Sequence, residues 1–143
     1  MATENTYNIV GLCAGRHDLP VSTYIFGHID DVLNFSTMNA IAEKYILENC
    51  HPRVASGQGI NQADYTDVEC LISDDPLNVI VTGLTACTIA VMWACALYGV
   101  NLTLWHFDRD SSKYMPQHCN FSGRYTENND EAIQELLSQV SGV

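Results

Sequence analysis

The sequence predicts a single α/β domain over residues 1–143, with a central strand–helix–strand unit, a mixed sheet and flanking helices. Three observations carry this. Residues 76–107 hold no Asp, Glu, Lys or Arg, although the chain has 17 acidic and 6 basic residues and a net charge of −11. That window divides into a strand-like run (Asn78–Val81), a helix-length run (Ala86–Tyr98) and a second strand-like run (Leu102–Phe107). Apolar residues at helical spacing recur on both sides of it. A chain of this length folds as one domain and hides roughly 70% of its extended surface.

A charge-free stretch of 32 residues also has the length of a membrane span, for which about 20 apolar residues suffice. Its interior polar residues (Asn78, Thr82, Thr85, Asn101, Thr103) and its acidic flanks (Asp74, Asp75, Asp108) argue for a buried core instead. Gly99 stands where a helix C-cap glycine is expected. The first seven residues have no basic or long apolar stretch, so no secretory leader is expected. The six cysteines form no CxxC pair, and a reducing, cytoplasmic setting follows. Asn101-Leu-Thr103 and Asn120-Phe-Ser122 then read as chance glycosylation sequons.

Taken in order, Tyr7–Cys13 reads as a first strand, followed by the polar loop Ala14–Asp18, and Val21–Phe26 as a second. Phe35, Met38, Ile41, Ala42, Tyr45 and Ile46 mark a helix after a Ser36 or Thr37 N-cap and before His51-Pro52. Residues 53–66 read as a loop and 65–72 as strand or helix, so the region at about 30–72 is expected to be a lid or insertion. Strand followed by crossover helix and strand implies a right-handed parallel pair. The crossover helix is apolar on every side (Ile89, Val91, Met92, Trp93, Leu97), which predicts burial against the sheet and against another helix or subunit. A turn at Asp110–Ser112, a short strand near Lys113–Met115 and a final helix follow. That helix carries Ala132, Ile133, Leu136, Leu137 and Val140 on one face and a possible capping box of Asn128 with Glu131.

Four places have the residue types for chemistry. Val81-Thr82-Gly83-Leu84-Thr85 joins a strand to a helix, where free N–H groups and the helix dipole favour an anion. Gly83 admits a ligand to the backbone, and Thr82 and Thr85 supply hydroxyls; the same residues also fit a tight turn with a Thr N-cap. Trp105–Asp110 ends the neighbouring strand. There Arg109 can clamp a phosphate, Asp108 can polarise a nucleophile, and Asp108 with His106 can ligate a metal. A charged turn with Arg109 paired to Asp108 or Asp110 is the plainer reading. Gln117-His118 is expected to return to the same edge on the next strand. The Gly15-Arg16-His17-Asp18 loop is the fourth, with Arg16 and His17 as ligand-binding candidates.

Between Asn78 and His118 the chain resembles the small CRISPR-associated ring-nuclease family, single-domain proteins that bind cyclic tetraadenylate between subunits. The resemblance rests on Val79-Ile-Val-Thr-Gly83, the apolar helix, Phe107-Asp108-Arg109 and Gln117-His118. It implies a Rossmann-like, CARF-like fold, a homodimer or homotetramer, and a role in antiviral-signalling control. It also implies a phosphodiesterase aided by manganese or magnesium, with Asp108 and His118 catalytic. Two departures bear on cleavage: the family's His near the end of the apolar helix is replaced by Leu97-Tyr98-Gly99, and Arg109 follows Asp108 without a spacer.

The leading expectation is therefore a protein that binds a small cyclic nucleotide and sequesters or hydrolyses it. Six scattered basic residues exclude a long nucleic-acid track yet can meet a few phosphates in an oligomer. The alternative is an acidic adaptor or inhibitor for a basic-surfaced partner, whose association a charge of −11 would speed. A metal-assisted hydrolase built on Asp108, His106 and His118 ranks third.

Overall fold

A computed structural model describes residues 7–15, 19–50, 76–82, 84–122 and 128–141. Five strands and three helices follow one another as β1 (Ile9–Cys13), β2 (Tyr24–Phe26), α1 (Phe35–Asn49), β3 (Leu77–Ile80), α2 (Thr85–Tyr98), β4 (Leu102–Asp108), β5 (Lys113–Cys119) and α3 (Asp130–Ser141). The sheet order is β2-β1-β3-β4-β5, with β5 alone antiparallel. This is a Rossmann-like α/β domain with a mixed sheet, as the sequence predicts.

Alternation along the strands sorts side chains onto two faces. Val10, Leu12, Leu77, Val79, Leu102 and Leu104 bury one face against α1 and α2. Ile9, Ile80, Trp105 and Tyr114 bury the other against Ile133 and Leu137 of α3. Beside that second cluster, Tyr24 lies over Gly11, where a Cβ would stand 2.5 Å from the ring, so the strand needs glycine here. Tyr7, Leu19 and Val21 pack there too.

Each helix end has a local cause. Asn34 caps α1, its side chain accepting from the Thr37 N–H at 3.3 Å; the expected Ser36 or Thr37 cap gives way because the chain turns two residues earlier, over Asp31. Met38, Ala42 and Ile46 face the main core, so the described part of the expected lid region is a layer of the domain. Residues 51–75, with the rest of that region, lie outside the described residues. The α2 helix ends on Gly99 at φ +68°, and Val100 N–H returns to the Cys95 carbonyl at 2.9 Å. Tyr98 donates to Glu43 and joins α2 to α1. At α3 the Ile133 N–H donates to the Asn129 carbonyl, so the helix starts one residue later than the Asn128–Glu131 capping box requires. Among the described residues, no helix is long and apolar enough to cross a membrane.

Candidate functional site

The connection from β1 leads to β2 on one side, whereas β3 leads through α2 to β4 on the other. The strand order reverses between β1 and β3, and successive connections there leave for opposite faces. A crevice opens at such a switch point, at the carboxyl ends of the strands. There the carboxyl ends of β1 and β3, which lead into two of the four sequence candidates, lie side by side. Arg16, His17 and Gly83 themselves lie outside the described residues.

Thr82 is buried, and its hydroxyl oxygen has no hydrogen-bond partner. Two residues on, Leu84 occupies the N-cap of α2 and supplies no side-chain cap. The expected Thr N-cap is thus absent: Thr85 is the first helical residue and is exposed. The Leu84 carbonyl accepts from the Cys87 and Thr88 N–H groups at 3.1 and 3.3 Å, while the cap residue offers no side-chain acceptor to the N–H groups that precede them. A buried donor and an uncapped helix start favour an oxyanion.

His28 and Asp30, which the sequence reading does not flag, follow the neighbouring strand. Gly15 has φ +80°, and His28 Nδ1 is 3.7 Å from where a Cβ on it would stand. His28 Nε2 meets Asp30 Oδ1 at 3.1 Å on the open surface, a contact of small energetic weight. Both follow the carboxyl end of β2, so the rule that flagged the other loops applies equally to Gly27-His28-Ile29-Asp30.

The β4–β5 hairpin departs from expectation. Val81 N–H bonds the Trp105 carbonyl at 3.0 Å, so β4 outruns β3 by several residues and lifts Asp108 and Arg109 above the turn at the tip of a hairpin. Asp108 Oδ2 accepts from Ser111 Oγ at 2.7 Å and Ser111 N–H at 3.3 Å. The Ser111 hydroxyl holds this exposed carboxyl below its ordinary pKa. Asp108 thereby braces the turn, where Ser112 takes φ +57°. His106 Nε2 lies 2.9 Å from Gln117 Oε1, and its side chain shares a sheet face with Asp108. Among the described residues, no three His, Cys, Asp or Glu side chains are placed to hold a metal, so the expected manganese or magnesium site on Asp108 and His106 finds no third ligand.

His118 is not at this edge. The return strand runs seven residues and pairs His118 with Thr103, while Asp108 pairs with Lys113. Five residues of strand separate them, about 17 Å, so Asp108 and His118 do not form one catalytic pair. Instead His118 sits between Thr103 Oγ1 (3.0 Å to Nδ1) and Asp130 Oδ2 (2.8 Å to Nε2), fastening α3 to the sheet. A cavity of about 160 Å³ beside it is lined by Pro76, Asn101, Leu102, Cys119, Asn120 and Asn128.

In comparisons with known proteins, no family model, no curated protein and no solved structure matches this chain.

Proposed function

We propose that the chain binds a small cyclic nucleotide at the carboxyl edge of its sheet and acts by sequestering it, in the control of antiviral signalling. The observation that carries this is the Thr82 hydroxyl, buried and unpartnered beside an uncapped helix start at the switch point. A phosphate oxygen supplies the acceptor that this hydroxyl and the first-turn N–H groups lack. Exposed Phe35, at the start of α1 on the same edge, offers a face for a base. The ligand's identity rests on the resemblance to ring nucleases. Sequestration is favoured over cleavage because Asp108 is held by Ser111 and His118 lies at the far edge. The acidic surface favours a ligand with few phosphates, met by Arg109 and backbone N–H groups.

Calorimetry with cyclic tetraadenylate and with cyclic dinucleotides tests the reading. Saturable heat is expected with at least one of them, weakened about tenfold or more by Thr82→Val and by Arg109→Ala with unchanged circular dichroism. Absence of heat with every ligand overturns it.

A further inference from the structure

The register of the sheet sets an exposed aromatic ring beside the unpaired Thr82 hydroxyl. Ile80 pairs with Trp105, and Val81 N–H still bonds the Trp105 carbonyl at 3.0 Å. Carried two residues further, the same register brings Thr82 level with Phe107, one strand spacing (~4.8 Å) away. Alternation puts Phe107 on the same face as Trp105, which is fully buried; one row further out, Phe107 is 51% exposed. The ring is nevertheless held in place. Tyr114, opposite it in the hairpin, is buried with Ile133 and Leu137 of α3 and meets it in a T-shaped contact, with centroids 5.1 Å apart and planes at 61°. Gln134 of α3 donates to the Tyr114 carbonyl at 2.7 Å and ties this part of β5 to the helix.

We infer that Phe107 stacks a nucleobase of the ligand whose phosphate meets Thr82, and so selects a nucleotide over a bare oxyanion. The inference rests on the reading of Thr82 as a phosphate site. A hydroxyl and helix N–H groups accept any oxyanion and by themselves do not distinguish a nucleotide from inorganic phosphate. The neighbouring ring supplies that discrimination, because a base covers π-surface and apolar area that a bare anion leaves in water. Thr82 and Phe107 stand one strand apart, a separation that the phosphate and base of one nucleotide span. The T-shaped contact with Tyr114 fixes the ring before the ligand arrives, so little side-chain freedom is lost on binding. Stacking engages the face of a base and leaves its hydrogen-bonding edge unread, so Phe107 selects for a base without choosing among bases. Phe35, which opens α1 on the other face of the sheet, is left for a second base of the ring.

The test uses the full chain with cyclic tetraadenylate and cyclic diadenylate, and with pyrophosphate as a probe that has no base. Phe107→Leu keeps apolar bulk against Tyr114 and removes the π-face, whereas Phe107→Tyr keeps the ring. Calorimetry should show nucleotide affinity weakened about 5- to 150-fold by Phe107→Leu and held within about twofold by Phe107→Tyr, with circular dichroism unchanged. Any affinity for pyrophosphate should be equal in all three proteins. In proton NMR of the bound nucleotide, the ring current of a stacked face should move base protons upfield with the unaltered protein and with Phe107→Tyr, and less with Phe107→Leu. Nucleotide binding that Phe107→Leu leaves unchanged overturns the inference while the Thr82 reading stands. A parallel loss of pyrophosphate affinity would mean that the ring acts through the shape of the turn, and overturns it as well. So does a bound nucleotide whose base protons stay unshifted on the unaltered protein, whatever the variants do. Absence of binding by both nucleotides overturns this inference together with the reading it rests on.

Discussion

At the amino edge of the sheet the buried polar side chains find partners, whereas at the carboxyl edge a buried hydroxyl and a helix start do not. Asn78 is 2% exposed, donates to the Tyr7 and Pro76 carbonyls at 2.7 and 3.2 Å, and accepts from the Trp105 indole at 2.9 Å. Thr103, His118 and Asp130 form a second chain there, in which Asp130 Oδ1 is the one buried atom left unpaired. Across the sheet, the buried Thr82 hydroxyl has no hydrogen-bond partner, and Leu84 supplies no side-chain cap to the start of α2. Polar groups that stabilise a fold are paired within it, because a buried unpaired group costs about 1–3 kcal/mol. On the proposed reading, the group left unpaired at the switch point is the one that a ligand completes.

The largest effect that sharpens this contrast is expected from Trp105→Ala. It empties a fully buried site and leaves Asn78 Oδ1 without its donor, so urea denaturation should show a loss of about 3–5 kcal/mol. His118→Ala should cost about 1–2 kcal/mol by releasing α3, with nucleotide heat unchanged. If it instead abolished the heat and spared stability, the roles of the two edges would be reversed.

Alkali should also act first on the helical core near the amino edge. Burial raises the Cys50 thiol from 9.0 to about 12 and the Tyr45 phenol from 10.0 to about 12. Both are neutral in the fold, so their stabilisation is complete below the ordinary values and is lost as pH climbs toward the folded ones. Denaturation midpoints measured at rising pH should decline from about pH 9 upward. A flat profile through pH 11 or so would show that these groups stay solvated. Asp108 works in the opposite sense: its pKa is lowered by Ser111, so its contribution holds above the ordinary carboxylate range and fades in acid. The smallest change in stability belongs to Thr82→Val. Removing an unpaired hydroxyl should leave the free protein unchanged or more stable by up to about 1 kcal/mol, while ligand affinity falls. A clear loss of stability without ligand would mean that the hydroxyl is paired in solution.

Much of this was legible in the sequence. The charge-free window gave β3, α2 and β4 to within a residue at most ends, because burial on all sides demands the absence of charge. Gly99 was legible as a cap because few other residues hold a left-handed backbone without strain. The turn after β3 was legible as a candidate because a strand running into a helix leaves free N–H groups whatever surrounds it. The N-cap of α1 was misplaced by two to three residues, since Asn34, Ser36 and Thr37 are all competent caps and the turn over Asp31 chooses among them. His118 was assigned to the wrong edge because periodicity indicated only the start of β5.

By itself, then, the sequence determined what local chemistry can fix: an apolar unit of strand, helix and strand, its capping glycine, a strongly acidic composition, and a polar turn beside a helix start. Only the tertiary structure decided that the strand order reverses between β1 and β3, that Asp108 braces a turn, and that His118 clamps α3 some 17 Å away. Those outcomes depend on strand order, register and length, which are set by pairing between residues far apart in the chain. The −11 charge and the neutral α2 belong to both accounts: the sequence places them, and the fold turns the neutrality into an exposed ridge.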